Sequence, residues 1–284
     1  MTAGNVMTIT EAIREMSALL EAARIESPLL DAEVLLAHVL GVERYRLLVD
    51  AGRPVDPKVF NSFRRMVARR CAGEPVAYIT GRKEFYSLEF LVTRDVLIPR
   101  PETELVVDMA IYYARPGASL LDLGTGSGAI AVSVCKSRRD VSVYATDISV
   151  PALRVAKRNC RRIMGSMPVV FRPGDLFEPF EGRRFDIIVS NPPYVDPALK
   201  SSLQREIGYE PEEALFADDR GRSVLRRIIG SAESHLLPDG VVLLEIGHDM
   251  RDFLLDTGAS AGYAVSVLND LAGRPRAALL KKQK

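Results

Sequence analysis

The run Phe185-Asp186-Ile187-Ile188-Val189 is apolar and of strand length, and Ser190-Asn191-Pro192-Pro193-Tyr194 follows it directly. Proline has no N–H to give to a β-ladder, so a buried strand must stop at Asn191. A residue before proline is driven to an extended backbone, which applies to Asn191 and again to Pro192. The chain therefore leaves the strand as a stiff segment presenting an amide side chain, backbone carbonyls and an aromatic ring. In open α/β sheets that carboxyl edge is where ligands bind.

The rest of the C-terminal two thirds fits such a sheet. Strand patterns at 119–123, 141–145, 169–172, 185–190 and 240–246 alternate with helical patterns running to 137, over 151–164 and over 221–237. Two last strands, 263–268 and 276–280, flank a short turn at Gly273 and read as an antiparallel pair. Strands spaced by helices predict an α/β, Rossmann-like, mainly parallel sheet with an antiparallel last strand.

Residues 1–75 read as helical. Thr8-Ile9-Thr10-Glu11 fits a capping box, with Ile13, Met16, Leu19, Leu20 and Ala23 predicted on one inward face. Ser27-Pro28 reads as a cap and first-turn proline, Gly41 as the stop, and Leu30, Val34, Leu35, His38 and Val39 as the buried stripe between them. A short helix is expected at 44–49 and a longer one at 57–72, the latter with Val59, Phe60, Phe63, Met66 and Val67 inward. Its other face carries Lys58, Arg64, Arg65, Arg69 and Arg70, either a docking surface or a solvated face. From 81 to 98 the aromatic and β-branched content predicts a hairpin. The expected division is thus a helical docking domain at 1–80, a hairpin linker at 81–98 and a catalytic domain at 99–284.

Composition narrows the class. The 284 residues are 47% hydrophobic and 26% charged with a net charge of +1, which offers no general field for nucleic acid or anionic membrane. Cys71, Cys135 and Cys160 form no C-x-x-C pair, and His38, His235 and His248 are scattered, so no metal site is expected. Neither a membrane span nor a signal peptide is read, and a cytoplasmic protein is expected.

Gly124-Thr125-Gly126-Ser127-Gly128 lies between a strand and a helix, where glycine lets the backbone turn sharply and approach a ligand. Asp122, Asp147 and Asp175 stand at the ends of three successive strands. Asp147 is placed to accept hydrogen bonds from ribose hydroxyls, and Asp175 to reach an adenine amino group. Three carboxylates suit a cationic or neutral nucleoside better than a pyrophosphate, and the spacing G-x-G-x-G differs from the dinucleotide fingerprint. The reading is S-adenosylmethionine, against NAD or a merely structural turn.

Leu121-Asp-Leu-Gly-Thr-Gly-Ser-Gly128 followed by Asn191-Pro-Pro-Tyr194 resembles the class I S-adenosylmethionine-dependent methyltransferases that modify amide or exocyclic amino nitrogens. The whole chain is similar to the release-factor glutamine methyltransferases, the PrmC/HemK family. The resemblance rests further on Ser27 to His38, Glu74 to Gly81, Leu97-Ile-Pro-Arg-Pro-Glu-Thr-Glu104, Gly208-Tyr-Glu-Pro211 and Leu244-Glu-Ile-Gly247. It implies methylation of the side-chain amide of glutamine in the Gly-Gly-Gln motif of peptide chain release factors, with the helical domain contacting that partner. Gly124 to Gly128 would cradle the amino-acid end of the cofactor, Asp147 would hold its ribose, Asn191 would also contact it, and Leu176 would lie beside the adenine where some relatives have an aromatic ring. Gly273-Arg-Pro-Arg276 matches loosely and is assigned no role.

The chemistry has its own logic. An amide nitrogen is a poor nucleophile, and its attack needs alignment and stabilisation of the positive charge that develops on it. The Asn191 side-chain oxygen and the Pro192 carbonyl can accept its two N–H bonds, Pro193 stiffens the pair, and Tyr194 can pack on the planar group. Other readings are glutamine methylation of a ribosomal protein, N6-adenine methylation of DNA, or a non-enzymatic nucleoside-binding scaffold.

Overall fold

The computed structural model describes residues 7–283 and divides the chain into two compact units. One comprises the residues up to Gly81 together with Gln204–Tyr209; the other comprises Arg82–Leu203 and the residues from Glu210 on. Among the described residues no helix is long and apolar enough to cross a membrane.

In the first unit the capping box forms: Thr8 Oγ1 accepts from Glu11 N at 3.3 Å, and the Glu11 carboxylate accepts from Thr8 N at 2.8 Å. Helices Ile9–Ala22, Pro28–Leu40, Tyr45–Val49, Pro57–Cys71 and Val76–Thr80 follow. Gly41 ends the second in the left-handed conformation, whereas Ser27 precedes it without a side-chain cap bond. Met16, Leu20, Leu35, Leu36, Phe63 and Val67 form the core. Two stripe positions are corrected, because Leu19 and Leu30 are exposed while Ala12, Ala32 and Leu36 turn inward. Tandem leucines at 19–20, 29–30 and 35–36 satisfy helical periodicity in either rotation, and packing chooses between them.

The basic face is also corrected. Arg70 is only 4% exposed and pairs with Asp31 at 2.6 Å and with Glu206. Arg69 forks onto Glu74 at 2.7 and 2.8 Å. The charge was read as outward-facing because its partners lie elsewhere in the chain.

The second unit opens with strands β1 (Arg82–Phe85) and β2 (Leu88–Leu91), joined by a tight turn at Tyr86-Ser87. Both turn residues are left-handed, with φ of 51° and 56°, a conformation non-glycine residues adopt at a cost. Side-chain bonds hold the turn: Tyr86 N donates to Glu104 at 2.8 Å and Tyr86 OH to Asp108 at 2.7 Å. The strand edge is tied down by the buried Asn159, whose Oδ1 accepts from Leu91 N and whose Nδ2 donates to the Leu91 and Ser127 carbonyls.

Seven further strands form one sheet: β3 (Ser119–Leu123), β4 (Ser142–Asp147), β5 (Val170–Pro173), β6 (Phe185–Ser190), β7 (Leu236–Glu245), β8 (Tyr263–Asn269) and β9 (Pro275–Lys282). Their order is β5-β4-β3-β6-β7-β9-β8, and β9 runs antiparallel to both its neighbours. Apolar clusters cover both faces, one around Leu120, Ile187 and Leu243, the other around Leu121, Ile188 and Leu244. The helix expected over 221–237 is shorter, Ser223–Ala232, because His235-Leu236-Leu237 feeds β7 instead. Helix Arg251–Ser260 was not predicted.

The order changes direction between β3 and β6, which opens a crevice at their carboxyl ends. Register then decides what meets there. Leu123 pairs with Thr146 and with Ser190, and Ser190 pairs with Leu244. The next residue on each of these four strands is Asp147, Gly124, Asn191 and Glu245. One rung of the sheet thus delivers four chemically distinct groups to a common edge.

Candidate active site

A cavity of about 320 Å³ opens above that rung, lined among others by Gly124, Gly126, Asp147, Leu176, Asn191 and Pro193. This is within the range of small-molecule sites. Gly124 and Gly126 have φ of +69° and +54°, and a Cβ built on either would meet no atom of the described residues within 4 Å. The space such carbons would fill is the cavity itself, so these glycines leave room for a ligand. Gly128 is different: its Cβ would lie 3.2 Å from that of Ala156, and it serves the packing of helix Val150–Met164.

The N–H groups of the loop are largely spent within the protein. Thr125 N donates to the Thr146 carbonyl, Gly126 N to Asp147 Oδ2 and Gly128 N to the Thr125 carbonyl. A pyrophosphate cradle aims such donors at its ligand, whereas here a carboxylate faces the cavity. Asp147 also accepts from Ser149 N at 2.8 Å, which fixes both its oxygens and leaves each with further acceptor capacity. Burial raises its pKa, the two N–H donors oppose that, and nearby Glu213 raises it further. These residues fit S-adenosylmethionine, with hydroxyls for Asp147 to bind and no phosphate to satisfy.

The three strand-end carboxylates do not share one role. Asp122 is fully buried beneath the loop, where Oδ2 accepts from Thr125 Oγ1 at 2.7 Å and from Ala131 N at 3.2 Å. Asp175 lines the cavity but is paired with Arg227 at 2.6 Å, so the expected adenine contact must compete with that ion pair. The Thr125 and Ser127 side chains are buried and face the protein, so any part they take in holding a ligand is through their backbone.

Asp122 Oδ1 has no hydrogen-bond partner among the described residues, and burial pushes its carboxyl up to about 7. An acid whose pKa is raised on folding stabilises the native state below its unfolded pKa and loses that contribution as pH rises through the folded value. Asp122→Asn removes this titration. Its melting temperature relative to the parent is expected to rise by several degrees from pH 5 to pH 8, roughly 2–4 °C for each kcal/mol. A pH-independent difference in thermal melts would refute the assignment.

Leu176 has φ of +48°, strained for a branched side chain, and packs against the core around Phe177 and Phe180. With Ile148, which is 67% exposed, it gives the cavity an apolar wall. Phe216 is the sole aromatic residue among the described residues lining this cavity, and sequence reasoning missed both it and Ile148. An exposed isoleucine directly after a strand-end aspartate was the available signal.

Asn191 is held from below. Its Nδ2 donates to Thr103 Oγ1 at 3.1 Å, and Thr103 Oγ1 donates to Glu245 Oε2 at 2.6 Å. The Tyr194 hydroxyl donates to the other Glu245 oxygen at 3.1 Å. Burial raises the Tyr194 phenol far above its usual range and the Glu245 charge adds to that, so the phenol remains a donor. Glu245 is itself fully buried. Arg276, given no role from the sequence, acts with its positive charge on both Glu245 and Tyr194. The segment carrying Thr103 is braced by a second buried acid, Glu210, which accepts from Ile98 N at 3.0 Å and pairs with Arg100.

The structure thus brings Asn191 and Pro193 to the same cavity as Gly124, Gly126, Asp147 and Leu176, while Tyr194 lies on Glu245 and Pro192 is buried between them in sequence. Thr103, Glu245 and Arg276 were not foreseen as site residues. An acid inside the apolar run 241–246 could have flagged Glu245, since a buried charge must be partnered.

Comparison with known proteins gives matches along most of the chain. The PrmC N-terminal domain model matches residues 11–81 and the methyltransferase small domain model matches residues 105–252. The release factor glutamine methyltransferase of Burkholderia pseudomallei is 42% identical over 264 residues, covering 88% of this chain and 92% of the relative. That of Koribacter versatilis is 39% identical over 280 residues, covering 97% and 99%. Among solved structures, a methyltransferase from Pyrococcus furiosus superposes with a TM-score of 0.53 at 20% identity, over 77% of this chain and 96% of that one, a likeness of fold.

Proposed function

The chain belongs to the release factor glutamine methyltransferases, and from that premise we propose that its site methylates the side-chain amide nitrogen of the glutamine in the Gly-Gly-Gln motif of a peptide chain release factor. The observation that carries this reading is that Asn191 lines the same cavity as Gly124, Gly126 and Asp147. The group suited to receive a target amide and the groups suited to hold the methyl donor therefore meet in one place.

S-adenosylmethionine, when bound, supplies an electrophilic methyl group on a positively charged sulfur. Gly124 and Gly126 would let the backbone approach it, Asp147 would accept from its ribose, and Ile148 and Leu176 would offer apolar contact to its base. On the other side, the Asn191 oxygen and the Pro192 carbonyl accept the N–H bonds of the target amide. These acceptors orient the nitrogen and place negative dipole ends where positive charge develops. The proline pair limits backbone rotation around these acceptors. No side-chain base is needed, because the amide nitrogen carries a positive charge once it has gained the methyl group and is then acidic enough to release its proton to water. Tyr194 packs beside the planar amide, and the helical residues 1–80 dock the release factor, in the cytoplasm.

Incubation with labelled S-adenosylmethionine and a release factor tests this. Label is expected on the release factor and absent from its Gly-Gly-Gln glutamine-to-alanine variant, from ribosomal proteins and from DNA. Label on the alanine variant, or only on DNA or a ribosomal protein, would sink the proposal.

A further inference from the structure

The two ends of an asparagine side chain are alike in shape, and they differ in that one donates hydrogen bonds and the other accepts them. Glutamine and glutamate differ from each other in the same way. A site that takes the NH₂ of glutamine and refuses the isosteric carboxylate of glutamate must therefore hold the oxygen end of its own amide towards the target. Left alone, Asn191 can rotate by half a turn and present its NH₂ instead, which would favour the carboxylate.

The groups beneath Asn191 remove that choice. Glu245 is fully buried, and its two oxygens receive Thr103 Oγ1 at 2.6 Å and the Tyr194 hydroxyl at 3.1 Å. A carboxylate only accepts, and a hydroxyl has a single proton. The Thr103 proton is spent on Glu245, so Thr103 Oγ1 can only accept from Asn191, whose Nδ2 lies 3.1 Å away. A rotated Asn191 would set its oxygen against the lone pairs of Thr103. Burial, the largest influence, raises the Glu245 carboxyl and Glu102 adds to that, while Thr103, Tyr194 and Arg276 pull it back towards the charged form on which this depends.

Building on the function proposed above, we infer that Thr103 and Glu245 are positioning residues that fix the amide orientation of Asn191, and that this orientation selects glutamine over glutamate as the target. Neither needs to touch the target. A buried site that rejects a ligand lacking the expected hydrogen-bonding group does so by large factors, because its own groups are left facing the wrong partner.

The experiment measures the dissociation constants of a release factor and of its glutamine-to-glutamate variant in the Gly-Gly-Gln motif, with S-adenosylhomocysteine present. The parent enzyme is expected to prefer the glutamine form by at least ~10²-fold. Thr103→Ser keeps the hydroxyl and should keep the preference. Thr103→Val removes it, and Glu245→Leu frees the Thr103 proton to point at Asn191; in each the preference should fall at least ~10-fold. A purely structural role would weaken both ligands alike. If either folded variant keeps the parental ratio within about twofold, the inference is overturned, and Glu245→Leu decides it should Thr103→Val not fold. Methyl transfer by the parent is followed separately. No label on the release factor, together with a preference that collapses as described, would refute the proposed function and support the inference. Normal transfer with an unaltered ratio would do the reverse.

Discussion

Asn191→Ala is expected to lower kcat by ~10²–10³-fold, the usual cost of deleting one preorganised group aimed at developing charge. Cofactor affinity should stay close to that of the parent. The alanine removes the side-chain oxygen proposed to accept from the target amide, and it deprives Thr103 Oγ1 of the Nδ2 donor 3.1 Å away. The proposed holds on the cofactor lie elsewhere in the cavity, at Gly124 and Gly126 for its amino-acid end and at Asp147 for its ribose. Asp147→Ala should behave in the opposite way. Its carboxylate receives Gly126 N and Ser149 N, each at 2.8 Å, so its loss loosens the loop as well as removing the proposed ribose contact. Hydrogen bonds to a charged group are worth about 1.5–3 kcal/mol, so cofactor affinity should weaken by roughly tenfold to a hundredfold. Calorimetric titration of both variants beside single-turnover rates checks the division. Equal losses of cofactor affinity in the two variants would contradict it.

A second large effect is expected where no polar group is involved. After Tyr194, Val195 bridges to Phe216, and the chain then passes through three left-handed residues, Asp219, Arg220 and Gly221. This run brings Gly221 so close to the acceptor segment that a Cβ added there would sit 2.1 Å from the Tyr194 carbonyl oxygen and 2.6 Å from its carbon. Both are backbone atoms, so Gly221→Ala must move either the left-handed turn or Tyr194. A displacement of about 1 Å at reacting groups costs on the order of 10²-fold in rate. The expected result is a kcat loss of that size with a lowered melting temperature. Gly262 provides the control, because its φ of +80° is close to the +78° of Gly221 but a Cβ there meets nothing. Gly262→Ala should carry only the strain of a left-handed alanine, about 1 kcal/mol, and leave kcat intact. If the two variants lose activity equally, the close approach to Tyr194 is not what positions the segment.

Much of the catalytic unit was legible before the structure, and the reason is local. Proline at 192 and 193 forbids continuation of β6 whatever surrounds it, so the strand end and its stiff exit could be placed on covalent grounds. The glycine loop was likewise readable, since positive φ at Gly124, Gly126 and Gly128 is a backbone requirement. Where two readings satisfied the same local rule, the sequence could not choose. The tandem leucines of the first helices and the His235-Leu236-Leu237 stretch are such cases, and packing decided them.

By itself the sequence determined an alternating sheet, a glycine turn after its first strand and a proline-stopped strand carrying an amide, because each depends on steric limits of a few neighbouring residues. Only the tertiary structure decided that Asp122 is buried beneath the loop and that Arg70 is consumed by Asp31 and Glu206. It also decided that Thr103, Glu245 and Arg276 gather under Asn191 and Tyr194. Those groups come from distant parts of the chain, and the register of β3, β4, β6 and β7 aligns Gly124, Asp147, Asn191 and Glu245 one step beyond a shared rung. Burial and hydrogen-bond partnership across strands belong to pairs of segments, so no stretch of sequence states them alone.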